Sequence, residues 1–239
     1  MILQKPEIQT IDEITYQLNS DIPYTGKHTM YYDSGLKFFE INYVNGKEHG
    51  QSISWNEDGQ INYKGHSQDG LGHGSATFWY DNNTICVTGQ HYKGKKTGVW
   101  CSWHTNGHIS SEGEYKNNER HGLWTYWYSK KTFPFVFTSR IEEQIATKMN
   151  YADGVLNGTC VEWHSNGNKK LNTSFSHGLK NGMYTRWHEN GHKKTEGKYI
   201  ANLEKNRQHK VGVWSYWNED SKLTAKEAYR EGILIGELV

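Results

Sequence analysis

The chain has 239 residues, of which 34% are hydrophobic and 14% aromatic, and its 27 basic and 26 acidic residues leave a net charge of +1. That balance excludes the basic footprint of a nucleic-acid binder or a protein held on anionic membrane. A low apolar share points towards disorder, but the strict spacing of the aromatics decides against it and predicts a sparse core built from large rings.

The start, Met1-Ile2-Leu3-Gln4-Lys5-Pro6-Glu7, has no basic region followed by an apolar stretch, so no signal peptide is expected. No apolar run reaches the roughly 18 residues that a membrane-spanning helix requires. Cys86, Cys101 and Cys160 lack CxxC spacing and read as free thiols in a reducing, cytoplasmic compartment. Residues 1–24, with Ile8, Ile11, Ile14, Tyr16 and Leu18, read as a cap over the first repeat, with helix or strand left open.

Residues 25–239 read as one repeat domain. The glycines Gly26, Gly50, Gly74, Gly98, Gly122, Gly158, Gly182 and Gly212 open eight similar units, and most steps between them are 24 residues. Counting each glycine as position zero, position five holds Tyr31, Trp55, Trp79, Trp103, Trp127, Trp163, Trp187 and Trp217, and position two holds Trp100, Trp124 and Trp214. A turn glycine follows at position nine, preceded by Asn106, Asn166 or Asn190 in three copies. Such Asn-Gly pairs accept the positive φ angles of a tight hairpin turn. A second strand follows, then a further turn such as Asn45-Gly46 or Asp69-Gly70. The grammar predicts an all-β fold, an elongated antiparallel β-meander of about eight 24-residue hairpins.

Alternation places positions three and five on one face, and the uniform tryptophan column reads as the core. Positions two, four and six vary from copy to copy and read as the face where specificity is written. Two insertions interrupt the array. The first, near 130–142, holds Phe133, Phe135 and Phe137, whose aromatic cluster points to contact with a partner. The second, near 200–208, is polar and basic and is expected to form a loop.

His188-Glu189-Asn190-Gly191-His192 matches HExxH, but zinc chemistry needs both histidines on one helix face, and here they straddle a hairpin turn. No metal, cofactor or catalytic residue is predicted, and an enzyme is not expected.

Pro23-Tyr24-Thr25-Gly26, then Tyr31-Tyr32-Asp33-Ser34-Gly35 and Tyr43-Val44-Asn45-Gly46-Lys47-Glu48-His49-Gly50, resemble the bacterial MORN-variant repeat. More narrowly the chain resembles the YwqK-like family of antitoxin and immunity proteins, across about residues 23–236. The resemblance implies a β-hairpin array that binds and neutralises a cognate protein toxin through a broad interface. The residues expected to make that contact are Trp124, Tyr126, Tyr128, Glu162, His164, Arg186 and His188, with Phe133, Phe135 and Phe137 from the insertion. The alternatives are a MORN-repeat scaffold or membrane-surface, lipid-binding module, for which the charge balance gives little support, and a carbohydrate-binding module.

Overall fold

The computed structural model describes residues 7–129 and 144–238. Every described element is a β-strand, in the order Ile8–Ile11, Ile14–Gln17, Gly26–Tyr31, Lys37–Val44, Lys47–Trp55, Ile61–Gln68, Leu71–Trp79, Ile85–Tyr92, Lys95–Trp103, Ile109–Lys116, Glu119–Trp127, Ile145–Ala152, Val155–Trp163, Lys169–Ser176, Leu179–Lys180, Gly182–Trp187, Lys193–Asn202, Arg207–Trp217, Leu223–Arg230 and Ile233–Glu237. The chain is an antiparallel meander of hairpin repeats. It divides into two compact units, one of Met1–His108 with Tyr115–Asn118, the other of Ile109–Glu114 with Glu119–Val239.

The unit glycine of every repeat has positive φ, from 63° at Gly98 to 150° at Gly26. Side chains with a Cβ rarely adopt this region. The position also coincides with a break in strand register, as between the Gly65↔Ala76 and Ser67↔Gly72 pairs. The glycine that marks the period in the sequence is therefore the residue of a β-bulge.

The two turns of each repeat divide their chemistry differently from the expectation. The Asn-Gly turn is a four-residue turn closed by Gly107 N–H donating to His104 C=O (2.9 Å), and only its glycine has positive φ. The asparagine serves through its side chain: Asn190 Oδ1 accepts from His192 N–H at 3.0 Å while its Nδ2 donates to Glu219 C=O of the next repeat at 2.8 Å. Asn166 does the same with Asn168 and Glu189. Two consecutive positive φ angles occur instead at the turn between repeats, as in Asn45 (50°) and Gly46 (76°), the mirror-image turn that suits strand twist.

The predicted core face is corrected by burial. Position two is the interior column: Ser52, Ala76, Trp100, Trp124, Cys160, Tyr184 and Trp214 are all buried, whereas the position-five tryptophans Trp55, Trp79, Trp103, Trp127, Trp163, Trp187 and Trp217 are only half-buried. Alternation separates two faces but does not say which one has room for a ring. The room comes from position fifteen of the preceding repeat, where Gly89 lies beneath Trp100, Gly113 beneath Trp124 and Gly197 beneath Trp214.

A cation then covers each large position-two ring. Lys96 lies 4.3 Å from the Trp100 ring, Arg120 4.8 Å from Trp124, Lys180 4.8 Å from Tyr184 and Lys210 4.6 Å from Trp214. The same cations also face Tyr115, Tyr151, Tyr199 and Tyr229 on the neighbouring strand. Each such contact contributes about 0.5–2 kcal/mol, more as the cation is desolvated.

Cys160 takes the ring's place in the sixth repeat and is 3% exposed. Burial, with Glu162 nearby, pushes its thiol pKa up to about 11. In the native protein, iodoacetamide at about pH 8 alkylates the half-buried Cys86 well before Cys160, because so little of Cys160 is thiolate. Peptide mapping after timed labelling checks this order.

The N-terminal segment forms its own hairpin, Ile8–Ile11 with Ile14–Gln17, and packs over the first between-repeat turn. Thr15 N–H donates to Gly46 C=O and Gly46 N–H to Tyr24 C=O, each at 2.8 Å. The second insertion is not a loop. It lengthens a hairpin, with Ile200↔His209, Ala201↔Gln208 and Asn202↔Arg207 in register, so its backbone groups are satisfied by pairing. The first insertion, with Phe133, Phe135 and Phe137, lies outside the described residues.

Candidate binding surface

Position six, expected to be part of the contact face, fastens one repeat to the next. Tyr32 Oη donates to Trp55 C=O, Tyr80 Oη to Trp103 C=O and Tyr128 Oη to Trp163 C=O, each at 2.8 Å. Histidine makes the same bond in later copies, His164 Nε2 to Trp187 C=O at 3.1 Å and His188 Nε2 to Trp217 C=O at 2.9 Å. A carbonyl only accepts, so Nε2 carries the proton in both, and Nδ1 faces Glu189 or Glu219 at 3.9 Å. The HExxH histidines are thus engaged on the next repeat: His188 on Trp217 and His192 Nδ1 on Glu219 C=O at 2.7 Å. Because tyrosine and histidine alternate in this role, His188→Tyr leaves thermal stability nearly unchanged. His188→Ala costs about 1 kcal/mol, one hydrogen bond, and paired melting curves separate the two.

Trp124 is likewise removed from the contact set. It is 4% exposed, sits under Arg120, and donates from Nε1 to Glu114 C=O at 3.1 Å. Its burial follows from Gly113, which leaves space for the indole. Tyr126 stacks on it, ring centres 6.1 Å apart and planes 29° apart.

The structure brings together the remaining three predicted residues. Backbone register runs from Tyr126 to Thr147, then Glu162, Leu171, Arg186, Thr195 and Tyr216, in one row across seven adjacent strands. Its first-strand members all stand at position four. Glu162 and Arg186 are two strands apart, about 10 Å. Glu162 is paired with Lys170 at 3.3 Å, and Arg186 is exposed. At the far end Tyr216 and Tyr229 both donate to Glu227 Oε2, at 2.7 and 2.8 Å. These two phenols hold the Glu227 carboxyl below its usual pKa, while burial and that carboxylate push the Tyr216 phenol well above its ordinary value.

The other unit has an equivalent row, Met30, Phe39, Ser54, Tyr63, Phe78, Val87 and Ser102, and its chemistry is different. It is mainly apolar and aromatic where the first is polar and charged. None of its residues is in the expected contact set. The signal was present at the position-four residues Met30 and Phe78 and their second-strand partners Phe39, Tyr63 and Val87.

Repeating hairpins stitched by backbone bonds, with chemistry varied along one row, define a repeat scaffold. Within it, residues 96–117 match the family model described as MORN repeat variant, so that stretch of the array is similar to MORN-type repeats. Among curated proteins, none matches it.

Proposed function

We propose that this protein acts by contact rather than chemistry, binding a partner protein over its position-four rows. Following its resemblance to bacterial MORN-variant antitoxin and immunity proteins, we take that partner to be a toxin that it neutralises. The observation that carries the binding reading is the contrast within one repeat. Positions zero, two, six and fifteen are committed to the scaffold, whereas position four runs Met30, Ser54, Phe78, Ser102, Tyr126, Glu162, Arg186 and Tyr216 with no common structural duty. A row with no contact common to every copy suits recognition, and Tyr and Arg are the residues that anchor interfaces.

The test is co-expression with toxin domains encoded beside the gene, reading growth rescue and co-purification. A variant with Tyr126→Ala, Glu162→Arg and Arg186→Glu, native by melting temperature, should lose rescue and binding together. Full rescue by that variant overturns the assignment of the surface. Absence of rescue with every adjacent toxin domain overturns the neutralising role.

A further inference from the structure

The apolar row carries a recess of about 330 Å³, lined by Phe78, Cys86, Val87, His91, Lys96 and Trp100. Position two of this repeat is Ala76, the smallest side chain in the buried column, where three other repeats carry tryptophan. Tyr63 folds over Gly65 and packs on Phe78 at 4.9 Å between ring centres, so the space nearest Gly65 is filled. The side of Phe78 towards Trp100 stays open, and Phe78 remains 37% exposed.

The lining is apolar for no reason of the scaffold. Phe78, Cys86 and Val87 stand at positions four, twelve and thirteen, which are Ser102, Ser110 and Ser111 in the next repeat and Arg186, Lys194 and Thr195 in the seventh. Lys96 closes one end, its ammonium over the Trp100 and Tyr115 rings, and it makes no ion pair among the described residues. His91 packs edge-on against Trp100, ring centres 5.1 Å apart. Burial and the adjacent Lys96 hold its imidazole below the usual pKa, so at neutral pH the charge of the recess is that of Lys96.

We propose that this recess binds a small apolar carboxylate, its hydrocarbon lying against Phe78, Val87 and Trp100 and its carboxylate reaching Lys96. The volume falls at the lower end of the roughly 300–1,000 Å³ of small-molecule sites, which combine an apolar lining with few polar groups. An unpaired ammonium selects the sign of the ligand's charge, and a charged hydrogen bond is stronger than a neutral one. This reading is independent of any toxin, and either reading stands if the other fails.

Calorimetric titration of the full chain with sodium decanoate, decanol and decyltrimethylammonium tests it. Decanoate should bind saturably, one per chain, and the two analogues at least about tenfold more weakly, since the charged contact is lost or reversed. Phe78→Ser, which installs the residue of the next repeat, and Lys96→Met should each weaken decanoate, while Lys96→Arg retains it. If a variant loses its native melting transition, Val87→Ser takes its place. Non-saturable binding of decanoate, equal binding of the ammonium analogue, or unchanged affinity in Phe78→Ser and Lys96→Met overturns the proposal.

Discussion

Trp214→Ala lowers the stability of the C-terminal repeats by about 3–5 kcal/mol, the range for removing a large aromatic from a packed interior. Trp214 is 1% exposed, the most buried residue of its column. Its ring meets Tyr199 at 4.9 Å and Tyr184 at 5.6 Å, with Lys210 4.6 Å above it. Truncation therefore opens a cavity and also removes one of the rings that Lys210 faces, Tyr229 being another. In a repeat array each unit leans on its neighbours, so the loss concentrates in the seventh and eighth repeats. Hydrogen exchange resolved by peptide should show protection falling in Gly182–Trp187 and Leu223–Arg230 and little changed in Lys47–Trp55. A uniform loss across both units, or a loss under about 1 kcal/mol, contradicts the assignment of Trp214 as a local core residue.

The meander was legible because its determinants are local. Unit glycines at bulges, turn glycines at position nine and alternating strands are all properties of a few consecutive residues, and a fixed period repeats them until chance is excluded. The choice of core face was not legible, because it depends on a partner one strand away. Trp100, Trp124 and Trp214 look like exceptions when read along their own strand. They become the rule once Gly89, Gly113 and Gly197 are seen beneath them. A glycine stands at position fifteen ahead of each of the three position-two tryptophans, and that match was the signal available in the sequence.

The candidate surface was legible in part for a related reason. Tyr126, Glu162 and Arg186 differ because no single contact is shared by every copy at position four: Tyr126 stacks on Trp124, Glu162 pairs with Lys170 and Arg186 is exposed. His164, His188 and Tyr128 also vary, yet between two residue types that reach the same carbonyl with a ring-borne donor. Variation alone does not separate a free position from one with two solutions to a single geometric demand. Distance to the next repeat's backbone does, and that distance exists only in the fold.

Gly113→Ala tests the pairing between glycine and ring most directly. A Cβ on Gly113 would fall 2.5 Å from Cγ of Trp124 and nearer still to Cδ2 and Cε2. The indole has little freedom to withdraw, since Nε1 is tied to Glu114 C=O and Arg120 covers the ring. Overpacking of this kind costs about 1–3 kcal/mol, against which the stiffer unfolded chain of alanine returns about 0.4–1 kcal/mol. The expected result is a net loss of stability even though alanine is ordinarily the more favourable residue. Trp124→Leu on its own destabilises, by leaving a cavity. Combined with Gly113→Ala, the smaller side chain makes room for the new methyl, so the double variant is more stable than the sum of the two losses predicts. A double-mutant cycle by denaturant unfolding measures that coupling. Strict additivity would mean that Gly113 is needed for its backbone and not for the space it gives Trp124.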